Sequence, residues 1–165
     1  MSITTSPSRT KVSIALLICE SLIPLIGTEH GDQPKIFEDM MRKSFPKSQL
    51  SLDALDDVDY LTMDSYDVVH KMEYPSEEQI DGYDAVMCSG SAANAYADNV
   101  EWIRKLIAFT VHLARDHPRV KIFGFCFGHQ IISLALGGTC VYNNGNWEIG
   151  PTKICLTDVG RVYLG

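Results

Sequence analysis

The chain has 165 residues, 45% of them hydrophobic and 21% charged, a length and balance suited to one sizeable core. Its 21 acidic residues outnumber 14 basic ones for a net charge of −7, and no basic stripe or patch marks a nucleic-acid binder. The five cysteines, Cys19, Cys88, Cys126, Cys140 and Cys155, are odd in number and contain no Cys-x-x-Cys pair. They fit reduced thiols of a cytoplasmic protein better than a disulfide framework, and no Cys/His spacing matches a zinc ligand set. No metal or cofactor is therefore expected, and no apolar run approaches the roughly 18 residues of a membrane span.

In chain order, residues 1–10 are polar and rich in Ser and Thr and read as a disordered leader, with residues 11–165 forming the folded domain. Lys11 to Cys19 is a nearly continuous apolar run, as in a strand covered on both faces. A secretion signal is a poorer reading of it, because Glu20 breaks the run and no small-residue cleavage site follows. In "GDQPKIFEDMMRKSF", Ile36, Phe37, Met40 and Met41 recur at helical spacing, with Pro34 near the start, where a missing N–H is harmless. The aspartate-rich stretch from Ser51 to Asp67 lacks the glycine of a calcium loop and reads as a solvated acidic connection.

"YDAVMCSG" (83–90) is a second buried strand that ends in a small-residue loop, "SGSAANAY". Asp98 to Arg115 is an amphipathic helix with Trp102, Leu106, Phe109 and Leu113 in one stripe, stopped by Pro118. "RVKIFGF" is a third strand, and "FGHQIISLALGG" a helix that the paired glycines terminate. Alternating strands and helices predict an α/β fold with a doubly wound, mostly parallel sheet. Cys140 and Cys155 fall in strand-like runs and, with Cys19 and Cys88, read as core thiols.

Cys126 lies where a buried strand turns into a helix, in the order G-x-C-x-G. The alternatives are a small core residue and a nucleophile at a strand–turn–helix elbow. The elbow reading has the thiol at the C-terminal edge of the sheet, where open α/β sheets bind ligands. Free N–H groups and the macrodipole at a helix N-terminus favour a thiolate. The N–H of Phe127 would face the oxyanion of an attacked carbonyl, and the loop Ser89-Gly90-Ser91 offers a second donor.

"KIFGFCFGHQIISLALGG", with "MCSGSAANAYADN" before it and "NWEIGPTKICLTDVG" after it, resembles the class I glutamine amidotransferases. The likeness is to stand-alone fungal proteins similar to the glutaminase domain of GMP synthase. The resemblance implies a flavodoxin-like fold and hydrolysis of the glutamine side-chain amide through a cysteine thioester. The ammonia would pass to an acceptor held by a separate protein or to free water; a role in a biosynthetic pathway would suit a stand-alone protein, though no residue points to one.

On that resemblance Cys126 is the nucleophile, Gly90 and Phe127 form the oxyanion hole, and Gln130, Trp147, Glu148 and Ile149 bind the glutamine. The family also uses a His-x-Glu pair downstream of the elbow. The histidines here are His30, His70, His112, His117 and His129, and none follows His129. A chain truncated before its last strands, impaired in turnover and left with an unpaired apolar sheet edge, is therefore expected. His129 projects from the elbow helix and is a poor substitute base, while His112 and His117 read as surface residues. A thiol hydrolase of γ-glutamyl amides or esters, or a non-catalytic binding protein on the same fold, remain alternatives.

Overall fold

The computed structural model describes residues 11–21, 24–44, 60–146, 153 and 155–164. Its centre is a sheet of four parallel strands in the order β2-β1-β3-β4. The strands are β1 (Val12–Ile18), β2 (Leu61–Asp67), β3 (Ala85–Cys88) and β4 (Lys121–Gly124). The first strand pairs with both neighbours, Leu17 standing opposite Tyr66 on one side and Cys88 on the other. That central place explains its unbroken apolar sequence, since Ile14, Ala15, Leu16 and Leu17 are all buried.

Helices cover the two faces. On one, Ile14, Leu16, Leu61, Ala85 and Met87 pack against Phe37 and Met41 of α2 (Gln33–Ser44). The other face holds Ala15, Leu17, Val86 and Cys88. These pack under α4 (Glu101–Asp116) and α5 (Phe127–Ala135) through Ile103, Leu106, Leu113, Phe127 and Ile131. Each valine, leucine, isoleucine, phenylalanine or methionine fully buried here contributes about 1.5–3 kcal/mol relative to exposure. The expected stripe of α4 is found: Leu106 and Leu113 are buried, while Trp102 and Phe109 pack at the margin of the same cluster. Gly137, at φ +83°, ends α5 as the paired glycines predict, and the N–H of Gly138 donates to the Ser133 carbonyl.

Several expectations need correction. The acidic connection assigned to Ser51–Asp67 contains β2, paired with β1 from Leu61 to Asp67; residues 51–59 lie outside the described ones. Its aspartates conceal a half-exposed edge strand, and Asp64 accepts a hydrogen bond from the Tyr83 hydroxyl at 2.6 Å. Short helices α1 (Pro24–His30), α3 (Glu77–Ile80) and α6 (Asp158–Leu164) were not expected. The long helix begins at Glu101 rather than Asp98, with Val100 as its N-cap.

Cys19 and Cys88 are buried as expected, but Cys140 is half-buried and Cys155 is exposed. Neither of the latter lies in a strand, because among the described residues nothing pairs with the outer side of β4. At that sheet edge Phe123 is 52% exposed. The leader assigned to residues 1–10 lies outside the described residues.

Candidate active site

At the end of β4 the chain reverses within two residues. Cys126 is the N-cap of α5, with φ 51° and ψ −105°. A non-glycine residue in so sparsely populated a conformation carries about 1–3 kcal/mol of strain, held only where surrounding packing fixes it.

Two glycines do the fixing. A Cβ on Gly128 would stand 2.3 Å from the Cys88 carbonyl oxygen, and one on Gly124 would stand 2.3 Å from the backbone carbon of Gly128. Only bare backbone lets the first turn of α5 lie against the ends of β3 and β4. Phe127, buried beneath, packs on Trp102 with ring centroids 5.5 Å apart.

This fold of the turn leaves the Cys126 thiol exposed at the C-terminal edge of the sheet. The N–H groups of Gly128, His129 and Gln130 donate to the carbonyls of Phe125, Cys126 and Cys126 respectively. Among the described residues the Phe127 N–H has no acceptor. The same holds for the N–H of Gly90. A Cβ on Gly90 would lie 3.7 Å from the Cys126 Cβ, so the loop after β3 runs directly beside the thiol. Ser89, fully buried, anchors that loop by accepting the Cys19 N–H on its Oγ at 2.9 Å. Glu20 braces it further on, accepting the N–H of Ala92.

Cys126, Gly90 and Phe127 are thus brought together, with Gln130 half-buried one turn along α5. Trp147, Glu148 and Ile149 lie outside the described residues. His129 uses its ring on its own helix, its Nδ1–H donating to the Cys126 carbonyl at 2.9 Å. Beneath the elbow, Cys19 and Cys88 place their sulfurs 3.4 Å apart. The hydrogen bond to Cys19, together with burial, pushes the Cys88 thiol well above its ordinary range.

A cleft of about 340 Å³ opens on the same sheet edge, lined by Ile18, Glu20, Ser21, Asp32, Asp67 and His70. Strand order reverses between β1 and β3, and the loops after those two strands carry Glu20 and Gly90. Ligands of open α/β sheets gather at such a reversal. An exposed thiol at a helix N-terminus, beside two uncommitted N–H groups, suits attack on a carbonyl carbon. The bracing roles of Glu20 and Ser89 were not foreseen in the sequence, where Glu20 was read only as the end of an apolar run and Ser89 only as part of the small-residue loop; their places directly after β1 and β3 were the available signal.

A glutamine amidotransferase-like protein of Schizosaccharomyces pombe is 38% identical over 93 residues, 56% of this chain and 37% of that protein. Gamma-glutamyl peptidase 3 of Arabidopsis thaliana is 42% identical over 66 residues, 40% of this chain and 25% of the peptidase. The glutamine amidotransferase-like protein chyE of Penicillium rubens is 30% identical over 128 residues, 78% of this chain and 50% of that protein. The matched part thus spans between a quarter and a half of these relatives' length. No solved structure matches the chain significantly. Residues 60–160 match the family described as glutamine amidotransferase class-I, and the chain belongs to that family.

Proposed function

We propose that Cys126 attacks the side-chain amide carbon of a γ-glutamyl group, glutamine first among its substrates. The observation that carries this reading is the strained, exposed Cys126 beside the uncommitted N–H groups of Phe127 and Gly90. The sulfur forms a bond to the amide carbon, and the oxyanion accepts hydrogen bonds from those two groups. The C–N bond then breaks and ammonia leaves with an added proton. Water cleaves the thioester to give glutamate and the free thiol.

Ammonia passes to a separate acceptor protein or to solvent, and the reaction takes place in the cytoplasm. Gln130 and the segment Trp147–Ile149 hold the amino-acid end of the substrate. The folded unit runs from residue 11 to 165, and no metal takes part in the chemistry.

Two protons must move, one from the thiol and one to the leaving nitrogen. The 165 residues carry no histidine after His129, whose Nδ1–H is engaged with the Cys126 carbonyl. These residues alone therefore turn over slowly. General acid–base assistance is worth about 10²–10⁴ in rate, so its lack leaves attack possible and release poor.

A second reading, hydrolysis of γ-glutamyl peptides, has the likeness to a γ-glutamyl peptidase in its favour. The test measures ammonia from glutamine and free amine from a γ-glutamyl dipeptide, with Cys126→Ala as the blank. Cys126-dependent acylation by glutamine, followed by slow release, supports the main reading. Acylation by the dipeptide alone transfers support to the second. Binding without any acylation would sink both.

A further inference from the structure

At the sheet edge opposite Cys126, three side chains far apart in sequence converge. Glu77 opens α3, His112 sits in the last turns of α4, and His117 is that helix's C-cap. One ligand atom from each lies within 4.8 Å of the other two. Donors on a tetrahedral ion with bonds of about 2.0–2.1 Å stand about 3.3 Å apart. Here His112 Nε2 is 2.8 Å from Glu77 Oε1, and His117 Nε2 is 3.2 Å from Glu77 Oε2, a hydrogen bond when that nitrogen carries a proton and a donor spacing when it does not.

The other ring nitrogens are committed. His112 Nδ1 donates to Asp116 at 2.7 Å, and His117 Nδ1 donates to Asp81 at 3.0 Å. A carboxylate on Nδ1 fixes the tautomer that turns the Nε2 lone pair toward a metal, the usual support of a metal-binding histidine. His112 Nε2 is moreover sealed from solvent and makes no aligned hydrogen bond, despite its closeness to Glu77. Two neutral rings would set lone pairs against a carboxylate. A dication placed between the three donors removes that conflict.

We propose that Glu77, His112 and His117 form a binding site for a divalent transition ion of the zinc class, with Asp81 and Asp116 orienting the rings. Imidazole and carboxylate donors suit zinc, and a solvent molecule would complete four-coordination. The ion would join the segment entering β3 to the end of α4. It acts as a staple rather than a reagent, since the Cys126 elbow is at the other end of the strands. The sequence reading, which expected no metal and surface positions for both histidines, missed this cluster. Its ligands are 35 and 40 residues from Glu77, and the two histidines are spaced i,i+5. His117 reaches the site only because the backbone leaves the helix there, at φ −122° and ψ 56°.

The competing arrangement has both rings doubly protonated, an ion-pair cluster with Arg115 and Arg119 on its flanks. The test is a zinc titration at pH 7.5 of the chain carrying Cys126→Ser, Cys140→Ser and Cys155→Ser, which removes accessible thiols. One equivalent should bind, with proton release. A free zinc concentration a hundredfold above the dissociation constant should raise Tm by about 5–10 °C. His117→Ala should abolish binding, and Asp81→Asn should weaken it about 10–100-fold. Glu77→Gln keeps the exposed helix surface and serves as the fold-neutral variant, checked by circular dichroism. Zinc affinity and Tm shift unchanged in Glu77→Gln, or no stoichiometric binding at all, would leave only the protonated ion-pair cluster and overturn the proposal.

Discussion

Replacing Gly128 with alanine puts a methyl carbon 2.3 Å from the Cys88 carbonyl oxygen and 2.9 Å from the Cys88 Cβ. Ordinary contact begins near 3.4 Å, so the first turn of α5 must retreat by about 1 Å from β3. The obstacle is backbone in a central sheet, which cannot swing away as a flexible side chain would. The retreat also loosens Phe127 and Ile131, both buried to within 1%.

Overpacking of this kind costs typically 1–3 kcal/mol, and about 3 kcal/mol is expected here. With a urea slope of about 2 kcal/mol/M, the unfolding midpoint should fall by about 1.5 M. Gly27→Ala is the contrasting control, because among the described residues no atom beyond its own stretch of helix lies within 4 Å of the added Cβ in α1. That change should stabilise by about 0.5–1 kcal/mol, through a less flexible unfolded chain. Urea unfolding followed by tryptophan fluorescence measures both. A Gly128→Ala midpoint equal to the parent's would refute the argument that bare backbone is what seats the elbow.

Cys126 should be alkylated by iodoacetamide well before Cys19 and Cys88, which are both buried, the Cys88 thiolate being further disfavoured by its hydrogen bond to Cys19; peptide mapping with either of those labelled first would remove the basis for a nucleophile. Gly90→Val should fold, since its Cβ meets only ordinary contacts. In a form that also carries a histidine–carboxylate pair, the branched side chain beside Cys126 should crowd the position of the oxyanion and cost on the order of 10²–10³ in turnover, and an unchanged rate would place the oxyanion away from Gly90. Burial and the hydrogen bond to Asp64 push the Tyr83 hydroxyl far above its ordinary pKa of 10.0, and burial does the same for Tyr74. Both groups stabilise the fold fully below pH 10, and that contribution is lost as pH rises further. The last tyrosinate absorbance to develop, that of Tyr74 and Tyr83, should therefore appear together with unfolding, whereas ionisation of all seven tyrosines in a still-folded chain would refute it.

How much of this was legible depended on how locally each feature is encoded. The elbow lies within one contiguous stretch, where apolar strand, glycine, cysteine, glycine and helix follow in order. Its pattern therefore survives without knowledge of the sheet. The second strand does not announce itself: only Leu61 is fully buried, and Asp64 and Asp67 supply the polarity of a loop. What makes it a strand is the pairing edge of β1, a partner some 50 residues away. The histidine cluster is less local still, because two helices and a non-helical cap must be placed before its donors meet. A pattern read along the chain reports local periodicity, and these two features consist of contacts across it.

The same distinction separates two properties of Cys126 that are easily taken as one. Its exposure and strained backbone follow from Gly124, Gly128, the end of β3 and the packing of Phe127, all inside residues 85–135. In the proposed reaction, attack by the thiol would draw only on that set, together with the N–H groups of Phe127 and Gly90. Release of the leaving nitrogen in that reaction would draw on a proton donor that this set does not contain, since the ring of His129 is bound back to the Cys126 carbonyl. Alkylation rate and ammonia turnover therefore report different parts of the machinery. Gly128→Ala should depress both, by moving the sulfur about 1 Å from where the oxyanion donors converge, a displacement able to cost about 10²-fold. Supplying a histidine–carboxylate pair should raise turnover and leave alkylation nearly unchanged. If alkylation rose in step with turnover, the added base rather than the elbow would control the thiol, and the strained turn would be a packing feature only.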